Sequence, residues 1–163
     1  MTRSRTERKT RLLAISSGGG HWVQLLRLRP AFEGCEVIFS SVLPAYAQDV
    51  KGERFIAIRD ATRWDLVVFV LMVLRVVWVV LRVRPDIIIS TGAAPGYVAI
   101  RVGRAIGART AWVDSIANVE EMSYSGRKAA ACADLWLTQW EHLARPRGGD
   151  EGRRTPHFRG SVI

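Results

Sequence analysis

Two side chains in this sequence are of the types, and in the settings, that move protons. His21 follows Ser17-Gly18-Gly19-Gly20, and Asp114 follows the largely apolar run 109–113. An imidazole takes or gives a proton near neutral pH. A carboxylate beside it favours the charged ring or orients the neutral one as a base. The two would meet if the stretches that carry them end at one edge of a sheet. Each also has a plain structural reading, His21 as a helix-start residue bonded to backbone and Asp114 as a turn cap.

The surroundings of both suggest such an edge. Leu12-Leu13-Ala14-Ile15 reads as a buried parallel strand, and the three glycines turn it into a helix beginning near His21. A helix N-terminus after a glycine turn offers unpaired N–H groups and a positive dipole end to an anion. Thr91-Gly92-Ala93-Ala94-Pro95-Gly96 repeats the pattern after Asp86-Ile87-Ile88-Ile89-Ser90, with Pro95 at an expected first helical position. Ligands of open α/β sheets sit outside the carboxyl ends of strands, so Ser17, Gly18, Gly19, Gly20, Thr91, Gly92, Gly96 and Asn118 become candidate binding residues for one anionic ligand. Glycine also serves many such turns that bind nothing.

Several chemistries are excluded by what is missing. Gly18-Gly19-Gly20 is not followed by Lys-Ser or Lys-Thr, and the GxGxxG dinucleotide spacing is absent. There is no metal-ligand cluster and no GxSxG turn, so no metal and no cofactor are expected. Cys35 and Cys132 are far apart and read as reduced thiols. The net charge of +9 gathers at the two ends, in Arg3, Arg5, Arg8, Lys9 and Arg11 and then Arg145, Arg147, Arg153, Arg154 and Arg159. No nucleic-acid motif accompanies it, so an anionic membrane surface is the better partner for it.

Residues 1–10 read as a basic flexible N-terminus, without the apolar core of a signal peptide, and 11–163 as one domain. Strands are expected near 12–15, 35–40, 54–58, 86–90, 109–113 and 134–138, and helices near 21–32, 64–83, 96–106 and 126–133. That alternation gives an α/β fold: a single Rossmann-like domain with a mostly parallel sheet. The helix at 66–83 stands apart, since 66–81 is apolar throughout except for Arg75. It is a membrane span, a fully buried helix, or a helix with one face on the sheet and another in a lipid interface or partner. In the third case Trp64, Arg75, Trp78 and Arg82 lie near headgroups.

Ser17-Gly18-Gly19-Gly20-His21, the stretch from Arg84-Pro85-Asp86 to Gly96, Ser125-Gly126-Arg127, Ala133-Asp134-Leu135 and Gln139-Trp140-Glu141 come in an order that resembles the asparagine-linked glycosylation protein 14 family. The resemblance covers about 11–163 and includes bacterial exopolysaccharide counterparts. It implies the acceptor-binding, N-terminal-type half of a two-domain (GT-B) glycosyltransferase. The UDP-sugar-binding half is then a separate small subunit, the acceptor a lipid-linked pyrophosphate sugar, and the place the cytoplasmic face of the membrane. The peptidoglycan N-acetylglucosaminyltransferase, a related single-chain enzyme, has a glycine-rich loop and histidine near its acceptor, which correspond to Gly18, Gly19, Gly20 and His21. The resemblance makes His21 and Asp114 the expected catalytic residues. It puts partner contacts at Gln139, Trp140 and Glu141 and at the apolar end with Phe158 and Ile163. Two departures stand out: residues 1–10 are no membrane anchor, and Asp114 stands where many members have glutamate. A recruitment scaffold without chemistry of its own is the alternative.

Overall fold

The computed structural model describes residues 8–60, 65–145 and 154–162. Seven parallel strands form one sheet in the order β3-β2-β1-β4-β5-β6-β7. They are β1 (Arg11–Ile15), β2 (Glu36–Ser41), β3 (Arg54–Ala57), β4 (Ile87–Ser90), β5 (Arg109–Val113), β6 (Leu135–Thr138) and the short β7 (His157–Phe158). The helices are α1 (Gly20–Arg27), α2 (Leu66–Val83), α3 (Ala93–Ala105) and α4 (Tyr124–Ala129). The expected single Rossmann-like domain with a parallel sheet is what forms.

Side-chain alternation along the strands makes two cores. Leu13, Ile15, Ile38, Ile88, Trp112 and Trp136 point to the face covered by α2, α3 and α4. Leu12, Ala14 and Phe39 point to the other face, where Trp22 and Leu25 of α1 meet them. The amino edge is pinned by two aspartates. Asp86 accepts from the Arg11 N–H at 2.8 Å and from Arg8. Asp134 accepts from the Thr110 N–H at 2.8 Å, from its hydroxyl at 3.0 Å, and from Arg104. Burial pushes the Asp134 carboxyl up, but the Thr110 donors and Arg104 outweigh it and hold the group below its usual range.

Some boundaries differ from the sequence expectation. α1 stops at Arg27 because Arg29-Pro30 tightens the chain into a 3-10 turn over 29–32. α3 begins at Ala93, so Pro95 is its third residue, still in the first turn where a missing N–H breaks no helix bond. The 3-10 turns over 44–50 and 141–144 and the strand β7 were not expected.

α2 is neither fully buried nor detached. Met72, Val76, Val79, Val80 and Val83 pack into the core, while Leu66, Val67, Val70, Leu71, Leu74, Trp78 and Leu81 are exposed. At about 100° per residue the exposed set fills an arc of about 140° opposite the buried one. Asp65 caps the start through the Val68 N–H at 3.0 Å. Arg75 lies at the border of the exposed arc, its guanidinium 4.5 Å from the Trp78 ring and donating to the Ala57 carbonyl. Arg82 lies on the same border and is exposed. By length and composition alone, α2 is long and apolar enough to cross a membrane. Trp64 lies outside the described residues.

Candidate functional site

Strand order reverses between β1 and β4, because the chain goes from β1 outward through β2 and β3 and returns across to β4. Ile15 pairs with Ser90, so the two glycine turns leave neighbouring strands at one height. This is the switch-point crevice where α/β sheets hold ligands. The first turn is shaped by Gly19, at φ 64° and ψ −135°, a conformation that disfavours a side chain. Gly20 and His21 open α1, and their N–H groups have no carbonyl within the helix. The Gly19 N–H itself is engaged, donating to the Tyr46 hydroxyl at 2.9 Å. Tyr46 in turn stacks on Trp22, with ring centroids 4.8 Å apart.

His21 is locked across the crevice onto the second turn. Its Nδ1 lies 2.9 Å from the Thr91 carbonyl, and the Thr91 hydroxyl donates to the His21 carbonyl at 2.7 Å. A carbonyl only accepts, so Nδ1 carries the proton and Nε2 of the neutral ring keeps a lone pair. Gly92 makes room for the ring: a Cβ there would lie 2.5 Å from Cε1 and Nδ1. Its φ of 142° disfavours a side chain as well, and Ala93 follows with φ 66°. The half-buried imidazole therefore sits between two glycine turns in a fixed orientation.

Asp114 takes a different place from the one expected. It is 1% exposed, and its oxygens accept from the Ser123 hydroxyl at 2.5 Å, the Ser123 N–H at 2.8 Å, the Asn118 amide at 3.1 Å and the Trp112 indole at 3.1 Å. Four donors saturate a carboxylate, and none of them is His21. Asp114 is thus the anchor of the loop 114–123, and Asn118 is one of its ties. Gly126 closes over it, since a Cβ there would stand 2.6 Å from Oδ1.

Gln139, expected at a partner surface, is corrected in the same way. At 2% exposure it donates to Gln24 Oε1 at 2.5 Å and to the Asp114 carbonyl at 2.9 Å, and accepts from the Val162 N–H at 2.7 Å. Gln24 also accepts from the Ile116 N–H and donates to the Ser115 hydroxyl and the Gly20 carbonyl. This buried network ties α1 to the loops after β5 and β6. Gln24, Ser115 and Tyr46 escaped the sequence reading; the one legible sign was a glutamine at 24 beside Trp22 and Leu25 on the inner face of α1.

The remaining expected residues scatter. Thr91, Gly92 and Gly96 are buried, and Gly96 is a packing glycine whose Cβ would overlap the Ser90 hydroxyl. The Ser17 carbonyl accepts from the Ser16 and Ser41 hydroxyls. Gly18 packs under Tyr46, and Gly19 and Gly20 are exposed. Trp140 donates its indole N–H to the Ile116 carbonyl at 2.8 Å, Glu141 pairs with Arg145, and Phe158 is half-buried in β7. Ile163 lies outside the described residues. Among the described residues no group of three or more metal-ligating side chains occurs.

Comparison with known proteins bears on the fold. No family model matches the chain, and no curated protein matches it by sequence. Its structure is similar to MurG from Acinetobacter baumannii, with TM-score 0.66 and 12% identity, covering 85% of this chain and 44% of that one. It is also similar to UDP-N-acetylglucosamine 2-epimerase from Rickettsia bellii, with TM-score 0.61 and 13% identity, covering 83% and 40%. A glycosyltransferase from Rickettsia africae gives TM-score 0.53 and 13% identity, covering 76% and 34%. The chain has the Rossmann-like fold of GT-B proteins. It spans less than half the length of each of these structures.

Proposed function

We propose that this chain is the acceptor-binding subunit of a split UDP-sugar glycosyltransferase, transferring N-acetylglucosamine or a related hexose to a lipid-linked pyrophosphate acceptor in polysaccharide synthesis. One observation carries the reading: a histidine fixed by Thr91 between two glycine turns at the switch point of a GT-B-type half. The resemblance to the asparagine-linked glycosylation protein 14 family supports the acceptor side and the separate small UDP-sugar-binding partner. In this reading the N–H groups at the start of α1 receive the acceptor pyrophosphate. His21 Nε2 takes the proton from the acceptor hydroxyl as its oxygen attacks the anomeric carbon, and the nucleoside diphosphate leaves with the bonding pair. Asp114 holds the neighbouring loop rather than the proton. The outer face of α2, bordered by Arg75 and Arg82, rests on anionic lipid at the cytoplasmic side of the membrane.

The test is transfer by the chain co-purified with its small partner, using a UDP-sugar and a lipid-linked acceptor. His21→Ala is expected to keep the complex and lower kcat by about 10²–10⁴-fold, the range of a lost general base. Full transfer by the isolated chain would overturn the split. The second reading, a recruitment scaffold without chemistry, draws on the exposed apolar arc of α2. It predicts that His21→Ala leaves transfer unchanged.

A further inference from the structure

The sheet face that carries α1 is covered over only half its width. α1 and the 3-10 turns over 29–32 and 44–50 lie over β1, β2 and β3. Over β4, β5 and β6, among the described residues, no helix lies on that face. Alternation puts Ile87, Ile89, Ala111, Leu135 and Leu137 there, opposite Ile88, Trp112 and Trp136 in the other core. Leu135 is 44% exposed, and Val23 on the flank of α1 is 47% exposed. A groove of about 730 Å³ crosses the amino end of this strip, lined by Ile87, Ala111 and Leu135 with Arg104 and Arg109.

The topology accounts for the gap. Right-handed crossovers put the helix of an outward step from β1 to β2 on one face. They put every step in the opposite direction on the other: β3 to β4, β4 to β5 and β5 to β6. So α2, α3 and α4 are all committed to the far face, and no crossover among β1–β6 can cover the near face of β4–β6. Parallel sheets are nevertheless built to be covered on both faces. The sequence outside the described residues offers no amphipathic stretch for it, since 146–153 reads Pro-Arg-Gly-Gly-Asp-Glu-Gly-Arg.

Charge selects the occupant. Arg27 and Arg109 border the strip and form no ion pair among the described residues. A second copy would bring the same arginines and another net +9 against them, which is repulsive. A bilayer under the exposed arc of α2 lies on the opposite side of the sheet and cannot reach this face. We propose that the near face of β4–β6 seats an amphipathic helix of a partner polypeptide. Its apolar residues, spaced i, i+3/i+4, i+7, pack on Ile87, Ile89, Ala111, Leu135 and Leu137, and its acidic residues meet Arg27 and Arg109. The proposal rests on the fold and not on the transfer chemistry, so each can fail alone.

A photo-crosslinking residue placed at Leu135 in cells that make this chain tests it, with the same residue at Leu74 on α2 as the control position. The expected adduct from position 135, and not from 74, maps to one segment of another polypeptide with that apolar period and Asp or Glu along its flank. Leu135→Asp combined with Arg109→Glu is expected to weaken the isolated complex at least tenfold. Both positions are exposed, so an unchanged melting curve for the free chain shows the variant folded. Adducts to a second copy, to lipid only, or to a segment without the amphipathic period would overturn the proposal. So would the absence of any protein adduct at 135, or unchanged affinity of the folded double variant.

Discussion

Asp114→Ala separates an anchoring carboxylate from a catalytic one. The substitution removes the acceptor of four donors at once. The Trp112 side chain is fully buried, so its indole N–H is left with no partner, and the Ser123 N–H loses its acceptor beside it. Each such orphan costs about 1–3 kcal/mol. The Ser123 hydroxyl and Asn118 amide are half-buried and regain partial bonding to water. The sum is a loss of about 3–5 kcal/mol, which for a domain of this size lowers Tm by about 6–20 °C. Asp114→Asn keeps volume and some acceptor capacity and is expected to lose about half as much. The assay is thermal unfolding of the free chain, followed by transfer with the partner well below both midpoints. At that temperature the folded Asp114→Ala chain is expected to retain transfer within about tenfold of the native level, unlike His21→Ala. A variant that melts within about 2 °C of the native chain, yet transfers no sugar, would refute the anchoring role.

Three further outcomes follow from particular contacts. Gly92→Ala drives a methyl into the His21 ring from a φ that already strains a side chain. It is expected to cost about 1–3 kcal/mol and to reduce transfer more than Gly107→Ala, which has φ 87° but open space. Stability and transfer of the two variants, measured side by side, check this. Asp134 has its folded pKa lowered, so its contribution is fully present above the unfolded value of about 3.9 and is lost as pH falls through the lower folded value. Asp134→Asn should therefore be less stable than the native chain near neutral pH and converge with it in acid; with a side chain 47% exposed, the gap stays under about 1 kcal/mol, read from urea unfolding against pH. Replacing Leu74 and Trp78 together with serine is expected to leave Tm unchanged, because both project outward. The same pair is expected to weaken sedimentation with anionic vesicles by about tenfold or more.

The sequence reading found what local rules control. Continuous β-branched runs such as Asp86-Ile87-Ile88-Ile89 announce buried parallel strands, and glycines before α1 and α3 announce the crevice. The direction in which a polar side chain turns at the crevice is a tertiary matter. Asp114 and His21 occupy loops of one sheet edge, yet Ser123, nine residues on, reaches the carboxylate first. Gln139 was legible as part of a motif, but its burial depends on Gln24, which is 115 residues away. β7 was missed because two residues, His157 and Phe158, carry no period of their own and pair only because β6 offers an open edge.

These placements divide the carboxyl edge between two tasks. At β1 and β4 the backbone departs from ordinary conformations, at Gly19, Gly92 and Ala93, and a half-buried histidine is left with one unengaged nitrogen. At β5 and β6 nearly every buried polar group is used internally, by Asp114, Ser115, Gln24 and Gln139. Strain and unused bonding capacity on one side, saturation on the other, is the distribution expected when a rigid buttress supports a reactive group. The link between them is α1, held at the Gly20 carbonyl and through Gln24 to the Ile116 N–H. A change at Gln24 would therefore reach His21 by tilting the helix it begins, without touching the ring. Chemistry at this edge depends on a single imidazole whose position is set from both sides, by Thr91 directly and by Gln24 through the helix.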